Sequence, residues 1–376
     1  MFDFNLQFAR NGADLTVELF RQLSEGGVKQ NIIFSPFSVQ TCIGLAFAGA
    51  QGETAEEIVK VLQFVSDIPS EVAECFQFVL EQYKNSELLK IANKVYVQEG
   101  KTIKPEYKAA ITEHYMAEVE NLNFCENAVA AQAINNWVEQ KTAGKITELI
   151  TSNCLNSLTR LVLLNAIHFK GDWEKKFNEA HTKEDDFWVG AASSVRMQYM
   201  HQKAKLGYGY FEDLDCSALE MPYKDSDLSM FVLLPNERTG LKSLAEKLKT
   251  VNLIDLAENM NIEEVLVKFP KFKVEYSVEL KETLQKMGIS KMFTEDAEFN
   301  NMLESPESIF VSKIIHKASI EVNEEGTEAA AATGMIMMTR MMLMPLEFQA
   351  DHPFLYMVWN KKNILFAGAF VDAPVA

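Results

Sequence analysis

Residues 322–333 read VNEEGTEAAAAT, and they lead into a longer stretch that contains one basic side chain. From Ala329 to Leu346 the only charged residue is Arg340, and six methionines lie between Met335 and Met344. Small residues at one end and methionines at the other make the stretch too polar for a core helix and too interrupted for a membrane span. It therefore predicts an exposed loop that offers an arginine to a protein that reads basic side chains, as trypsin-like proteases do. A buried strand flanked by a loop, with Arg340 an ordinary surface residue, is the alternative.

Composition and charge exclude several classes of function. The chain has 376 residues, of which 48% are hydrophobic, and its formal net charge is −17. We expect neither nucleic acid nor an anionic membrane as a main partner, because their phosphates would be repelled. The five cysteines are scattered, the six histidines show no ligand spacing, and no catalytic motif occurs. We therefore expect no metal, no cofactor and no enzymatic activity. No linker rich in Pro, Gly or Ser divides the chain, which favours one domain over 1–376 and a monomer.

Helical periodicity dominates the first part of the chain. Leu15, Leu19 and Leu23 share one face of a predicted helix that stops at the glycine pair 26–27. Ser70 is predicted to cap a second helix. A third helix is predicted from Ala128 to the break at residues 143–144.

Strand patterns dominate the rest. Short apolar runs and alternating patterns predict strands at Leu161–Phe169, Leu228–Leu234, Val265–Phe269, Phe272–Tyr276 and Asn363–Val371. One more helix is predicted among them, capped by Ser277 and ended by Gly288. Helices first and strands later, without βαβ alternation, predict the α+β class.

The opening stretch resembles the hinge of the serpins, the serine protease inhibitor family. Six further segments resemble the family in the same order along the chain: Asn31–Val39 (NIIFSPFSV), Ala48–Ile58 (AGAQGETAEEI), Asn165–Trp173 (NAIHFKGDW), Glu220–Tyr223 (EMPY), Phe269–Phe272 (FPKF), and His352–Phe354 with Phe366–Gly368. Each segment is short, but their common order over the whole chain is specific. The resemblance implies the serpin fold, with three β-sheets, about nine helices and an exposed reactive-centre loop at about 324–346.

The hinge sets the register of the reactive bond. In the family, the hinge glycine matched by Gly326 lies fourteen residues before the residue that precedes the scissile bond, and that count ends at Arg340. The resemblance thus implies a reactive bond at Arg340–Met341, with Met338, Thr339 and Met342 in contact with the protease. It predicts a suicide inhibitor of trypsin-like serine proteases. The alternative is a non-inhibitory serpin that acts as a binding or storage protein.

Serpins trap a protease by inserting the cleaved loop into their main sheet as a new strand. Alternate side chains of that strand face the core, so that every second one must be small and uncharged. Thr327, Ala329, Ala331 and Thr333 form such a row, whereas Glu328 falls in the other row. The residues assigned to the hinge are Glu324, Gly326, Thr327, Glu328, Ala329, Ala330, Ala331 and Ala332.

Two further groups match residues that control opening of the sheet in relatives. Ser35, Asn165 and His316 align with the hydrogen-bond network called the shutter. Glu324 aligns with an acid that pairs with a lysine, matched here by Lys271, at a place called the breach. These roles are implied by the resemblance.

Cofactor and compartment are less well defined by the sequence. A sulfated glycosaminoglycan is a candidate partner from the family, but the matching helix, Ser70–Asn85, carries only Lys84. Lys268, Lys271 and Lys273 form a weaker basic strip. Proteases that read arginine act mostly outside cells, which favours a secreted mature form. A cytoplasmic protein is the alternative, in line with the absence of N-x-[ST] sequons.

Overall fold

The structure is a computed structural model, and it describes residues 2–25, 27–304, 308–325 and 345–373. Within these ranges the chain forms nine α-helices and fourteen β-strands. The helices are α1 (Phe2–Leu23), α2 (Pro36–Gly49), α3 (Gly52–Leu62), α4 (Pro69–Tyr83), α5 (Pro105–Tyr115), α6 (Asn127–Lys141), α7 (Leu241–Lys247), α8 (Leu253–Glu258) and α9 (Lys281–Met287). The strands are β1 (Ile32–Phe34), β2 (Leu89–Gln98), β3 (Glu118–Leu122), β4 (Leu161–Phe169), β5 (Lys183–Trp188), β6 (Ser194–Phe211), β7 (Cys216–Pro222), β8 (Ser229–Pro235), β9 (Asn261–Pro270), β10 (Phe272–Glu279), β11 (Val311–Val322), β12 (Leu346–Gln349), β13 (Phe354–Trp359) and β14 (Ile364–Phe370). In these described ranges no helix is long and apolar enough to cross a bilayer.

A five-stranded sheet has the order β10-β11-β4-β2-β3. The adjacent inner strands β11 and β4 run parallel, and their register runs from Val311 opposite Leu161 to Ile320 opposite Phe169. Their outer neighbours β10 and β2 are antiparallel to them. We call the parallel pairing of β4 with β11 the seam, because it is where the sheet could be opened.

The remaining nine strands form one hydrogen-bonded network. Its order is β1-β14-β13-β8-β7-β6-β9-β12, and β5 also pairs with β6. The eighteen-residue strand β6 pairs with β5 at its start, with β9 along its middle and with β7 at its end. The three expected sheets thus occur as two networks, since β6 joins two of them.

Most predicted elements are found, but two predicted caps are wrong. The strand predictions correspond to β4, β8, β9, β10 and β14, and the third predicted helix is α6. Ser70 lies inside the first turn of α4, because Pro69 occupies the first helical position and Ile68 is the cap residue. Ser277 lies in β10 opposite Lys317, so it caps nothing. Gly288 does end α9, with φ of 110° in the left-handed region.

Both faces of β4 are buried, which explains its unbroken apolar run. Leu163 and Ile167 belong to the main core, on the side where α2 packs against the strand. Leu164 and Ala166 belong to a second apolar cluster, which joins the other face of the sheet to α6. Ile315 of β11 is part of the same cluster, so that α6 packs over both sides of the seam.

Candidate functional site: the seam between β4 and β11

The seam leads directly into the predicted reactive loop. Strand β11 ends at Val322, the described chain stops at Glu325, and it resumes at Pro345, just before β12. Between these points, outside the described residues, lie the predicted reactive bond Arg340–Met341, its neighbours Met338, Thr339 and Met342, and the hinge residues Gly326, Thr327, Glu328, Ala329, Ala330, Ala331 and Ala332. The structure describes the five-stranded sheet from which the predicted loop leaves, and the contacts that keep the seam closed.

A chain of hydrogen bonds crosses the middle of the seam. The backbone N–H of Ser35, the cap residue of α2, donates to Nε2 of His316 at 2.9 Å. Nδ1 of His316 lies 2.7 Å from Oδ1 of Asn165, and Nδ2 of Asn165 donates to Oδ1 of Asn93 at 2.6 Å. We call Ser35, His316, Asn165 and Asn93 the central polar chain. It connects a helix to β11, β4 and β2, and a strand inserted into the seam would have to break its His316–Asn165 bond.

The hydrogen bonds also define the state of the central imidazole. Nε2 of His316 accepts a hydrogen bond from a backbone N–H, so Nδ1 must be the protonated nitrogen and donates to Oδ1 of Asn165. Burial lowers the pKa of His316 to about 3. The imidazole is therefore neutral at pH 7. It connects the backbone of Ser35 to the side chain of Asn165 by hydrogen bonds and does not act as a base.

Asn93 is the member of this chain that the sequence analysis missed. It lies on β2 directly opposite Asn165, and only 4% of it is exposed. A buried asparagine within an apolar strand is a sequence signal for a polar network, because an unpaired carboxamide would be costly there.

A second group of contacts fixes the upper end of the seam, where β11 leaves the sheet. Oε2 of Glu324 lies 2.7 Å from Nζ of Lys271, and its Oε1 accepts from the hydroxyl of Thr182 at 2.6 Å. Burial raises the pKa of Glu324, but the hydrogen bonds from Lys271 and Thr182 outweigh it and leave the pKa below its ordinary value. The buried carboxylate is therefore charged and paired.

Trp173 connects the two strand ends across the same place. Its indole N–H donates to the carbonyl of Asn323 at 2.8 Å, and its ring stacks on Tyr223 at 4.7 Å between centroids. Lys170, which follows β4, lies 3.3 Å from Glu321 on β11. Trp173 lies within a segment that had already been singled out, but neither it nor Thr182 was assigned a role from sequence. Both residues act through hydrogen bonds to segments far away in the chain, which the local sequence does not indicate.

A cluster of charged and aromatic side chains attaches α6 to strands β2 and β3 of the five-stranded sheet. Nζ of Lys94 on β2 lies 2.7 Å from Glu120 and 3.2 Å from Glu118, and it sits 5.1 Å from the ring centroid of Trp137 on α6. The indole N–H of Trp137 donates to Glu118 at 3.1 Å. Burial lowers the pKa of Lys94, yet the hydrogen bonds that its ammonium donates to Glu120 and Glu118, together with its interaction with Tyr96, leave the pKa raised, so this lysine stays charged. The cluster ties α6 to β2 and β3, away from the seam.

The predicted basic strip is not a free surface. Lys268 pairs with Asp185 at 2.7 Å, Lys271 with Glu324 at 2.7 Å and Lys273 with Glu275 at 2.7 Å. Each of the three ammonium groups already has a carboxylate partner. The strip therefore gives little support to a glycosaminoglycan site.

A profile of the serpin family, described as serine protease inhibitor, matches residues 10–373. The closed seam next to the predicted reactive loop agrees with this match. This chain is a serpin. It is 38% identical to the leukocyte elastase inhibitor of Bos taurus over 96% of this chain and 98% of the relative. It is 37% identical to serine protease inhibitor 42Dd of Drosophila melanogaster over 94% of this chain and 95% of that protein.

Solved serpin structures agree with the fold. A structure of cleaved serpin 42Da covers 99% of this chain and all of its own, with 41% identity and a TM-score of 0.90. A structure of human thyroxine-binding globulin complexed with thyroine covers 98% of this serpin and 99% of its own chain, with 26% identity and a TM-score of 0.88. The α+β serpin fold is thereby confirmed. This serpin belongs with protease inhibitors rather than enzymes, and its partners are serine proteases.

Proposed function

We propose that this serpin inhibits trypsin-like serine proteases by being cut at Arg340–Met341 and inserting the freed loop into the seam. The observation that carries the proposal is the closed β4–β11 pairing at the root of the loop. Two parallel strands lie side by side, and the chain that leaves β11 must turn back antiparallel to both if it enters between them. One parallel pairing would then become two antiparallel ones, which are slightly more stable per residue.

The length of the loop is sufficient for this step. Strand β4 has nine residues and spans about 30 Å, at roughly 3.3 Å per residue. Thr327 to Met338 is twelve residues, or about 40 Å when extended. The inserted segment would run the full height of the seam.

The chemistry up to that point is the ordinary first half of proteolysis. The protease serine Oγ bonds to the carbonyl carbon of Arg340, and the bond to the nitrogen of Met341 breaks. The protease histidine delivers the serine proton to the departing amine, leaving an ester between the protease and Arg340. If insertion is faster than attack by water on that ester, the protease stays attached.

An inhibitor of elastase-like proteases is the second candidate. The observation in its favour is that several relatives are named leukocyte elastase inhibitor. Elastase has a small, uncharged primary pocket, whereas trypsin reads a cation with a carboxylate. Met338 and Met342, two residues to either side of Arg340, are the uncharged side chains at which we place the alternative cleavage. Non-inhibitory binding or storage stays the third possibility, and it predicts cleavage without any covalent complex.

One experiment separates these possibilities. The serpin is mixed with trypsin, chymotrypsin or pancreatic elastase, and the products are run on a denaturing gel and sequenced. We expect an SDS-stable complex with trypsin, a released fragment that begins at Met341, and no complex with Arg340→Ala. A complex with elastase and a fragment beginning at Thr339 or Leu343 would support the second candidate. Cleavage without complex in every case would support the third.

The cysteines bear on the compartment. All five are free, and Cys125 is exposed. We infer that a reducing compartment suits this chain better than the secreted form favoured from Arg340, because an exposed unpaired thiol is readily oxidised outside the cell. Fractionation of the source cells, with the culture medium as the other fraction, tests this inference.

A further inference from the structure

Unpartnered buried polar atoms are few in the part of the chain that the structure describes, and half of them lie in one pair at the seam. Six buried side-chain N and O atoms have no hydrogen-bond partner among the described residues. Both ring nitrogens of His168 and the hydroxyl of Ser319 are three of them. Such atoms call for an explanation, because most buried polar groups in native proteins are hydrogen-bonded.

The two residues face each other across the seam. His168 is on β4 and Ser319 is its register partner on β11, and they are 4% and 0% exposed. Because side chains alternate along a strand, His168 shares its face with Leu164 and Ala166, the face that α6 packs over. The pair is therefore shielded from water in the closed sheet.

Charged groups surround the pair without bonding to it. On the neighbouring strands, Lys90 of β2 lies opposite His168 and Glu275 of β10 lies opposite Ser319. The charged groups that act on the imidazole are Lys145, after α6, with Lys273 and Glu275 of β10 and Glu321 of β11. Burial lowers the pKa of His168, Lys145 adds to this lowering and Glu321 opposes it, and together they bring the pKa to about 4. The ring is thus neutral at pH 7, with one N–H donor and one acceptor unused.

We propose that His168 and Ser319 are positioning residues for protease trapping, whose unpaired polar atoms weaken the closed seam and so favour its opening. The inference rests on the proposed insertion of the loop. A buried donor or acceptor without a partner destabilises the state that buries it. Separation of β4 from β11 exposes both side chains to water or to an incoming strand, so the destabilisation applies to the closed sheet alone.

The test replaces the pair by apolar side chains of similar shape. In the double variant His168→Phe, Ser319→Ala the closed sheet loses its unpaired atoms, and we expect a higher urea midpoint of unfolding. With trypsin, insertion should slow relative to hydrolysis of the ester. The ratio of cleaved serpin to covalent complex should rise about tenfold, which corresponds to about 1.4 kcal/mol in the competing barriers.

Two matched controls distinguish this effect from packing or general stability. Trp359→Phe removes another unpartnered buried N–H, on β13 in the nine-stranded sheet, and should leave the product ratio as in the wild type. His168→Gln keeps polar atoms at the seam and should also keep the wild-type ratio, whereas a packing role would respond to Gln as much as to Phe.

The outcomes separate this inference from the proposed function. An unchanged product ratio in the double variant overturns the inference, and so does an equal rise in Trp359→Phe. If the wild-type serpin forms no complex with trypsin, chymotrypsin or elastase, the proposed function fails. In that case the urea midpoint tests the claim about the seam alone. If the midpoint of the double variant does not increase, that claim is overturned.

Discussion

Two histidines lie on opposite strands and opposite faces of the same seam, and they differ in their partners. His316 on β11 faces Asn165 on β4, and His168 on β4 faces Ser319 three residues further along both strands. In the first pair both ring nitrogens are hydrogen-bonded, to Ser35 and to Asn165. In the second pair neither ring nitrogen has a partner among the described residues.

The comparison separates burial from hydrogen bonding. Burial is the largest cause of the lowered pKa in both imidazoles, to about 3 for His316 and about 4 for His168. Burial thus keeps both rings neutral, and the difference that bears on the closed seam is the hydrogen bonding of the ring nitrogens. We therefore expect His316 to hold the seam closed and His168 to weaken it, although their burial and charge are nearly alike.

The largest effect should come from blocking the seam to the loop. Thr327→Arg places a cation in the row of the predicted hinge that would face the core, and burying it unpaired costs several kcal/mol. Trypsin should still cut Arg340–Met341 at the wild-type rate, but a denaturing gel should show only cleaved serpin. Glu328→Arg, one residue along in the opposite row, is the control and should still form complex. Equal yields of complex from both variants would show that the loop does not insert in this register.

Loss of the bonded histidine should come next. His316→Ala leaves the N–H of Ser35 and Oδ1 of Asn165 without their histidine partner and opens a cavity in the core. We expect a loss of roughly 3 kcal/mol in the free energy of unfolding, measured by urea titration. His114→Ala is the control, because that half-buried ring lies outside the seam and hydrogen-bonds to Gln77 through Nδ1. A similar small loss of the free energy of unfolding in both variants would show that the central polar chain does not stabilise the closed sheet.

Acid should weaken the closed fold through both imidazoles. Each has a lower pKa in the folded state than in the unfolded chain, where the pKa is about 6.5. The unfolded state then binds more protons between pH 6.5 and about 4, so stability is complete above pH 6.5 and falls as the pH decreases through this window. Urea titrations at pH 7.5 and 5.5 should differ by about 1.4 kcal/mol for each ring. His168→Phe should remove one of these two contributions, whereas replacing the exposed His181 with Gln should remove neither.

The smallest effect is expected at the upper end of the seam. Glu324→Gln keeps the shape of the side chain but loses the charge that faces Lys271. Because Lys271 is partly exposed, solvent screening limits the stabilisation lost with this ion pair to about 1 kcal/mol. Spontaneous loss of inhibitory activity on incubation at 50 °C should then be about fivefold faster, since 1.4 kcal/mol is tenfold. Glu325→Gln is the control for the loss of one charge at this end of the seam, because its exposed side chain pairs with Lys170 rather than with Lys271. Equal rates in the two variants would contradict a specific role for Glu324.

The fold was predictable from sequence where patterns are local or motifs are matched. The apolar run of β4 and the glycine that ends α9 were predicted from residue pattern alone. The serpin class, and with it the choice of Ser35, Asn165 and His316, came from the ordered motifs. The structure does bring these three residues together: the backbone N–H of Ser35 and the side chains of His316 and Asn165 form one hydrogen-bonded chain, while the hydroxyl of Ser35 accepts from the N–H of Ser38.

What the sequence did not predict depends on contacts between distant segments. Strand β2 was missed because buried Asn93 and Lys94 interrupt its apolar pattern, and both find partners only in the folded chain. Thr182 is 142 residues from the carboxylate to which it donates. Ser277 resembled a helix cap because a solvent-facing serine in a strand has the same local pattern. The weakness assigned to His168 and Ser319 is invisible in sequence, since it consists of partners that the fold does not supply.

A covalent lock across the seam tests the central claim most directly. Ala166 of β4 and Lys317 of β11 are register partners, and adjacent strands bring Cα atoms within the range that a disulfide spans. The variant Ala166→Cys, Lys317→Cys is oxidised, and its products with trypsin are compared before and after reduction, with each single cysteine variant as control. We predict that the oxidised protein is cut after Arg340 but forms no SDS-stable complex, and that reduction restores the complex. Complex formation by the oxidised protein at the wild-type yield would contradict insertion of the loop between β4 and β11.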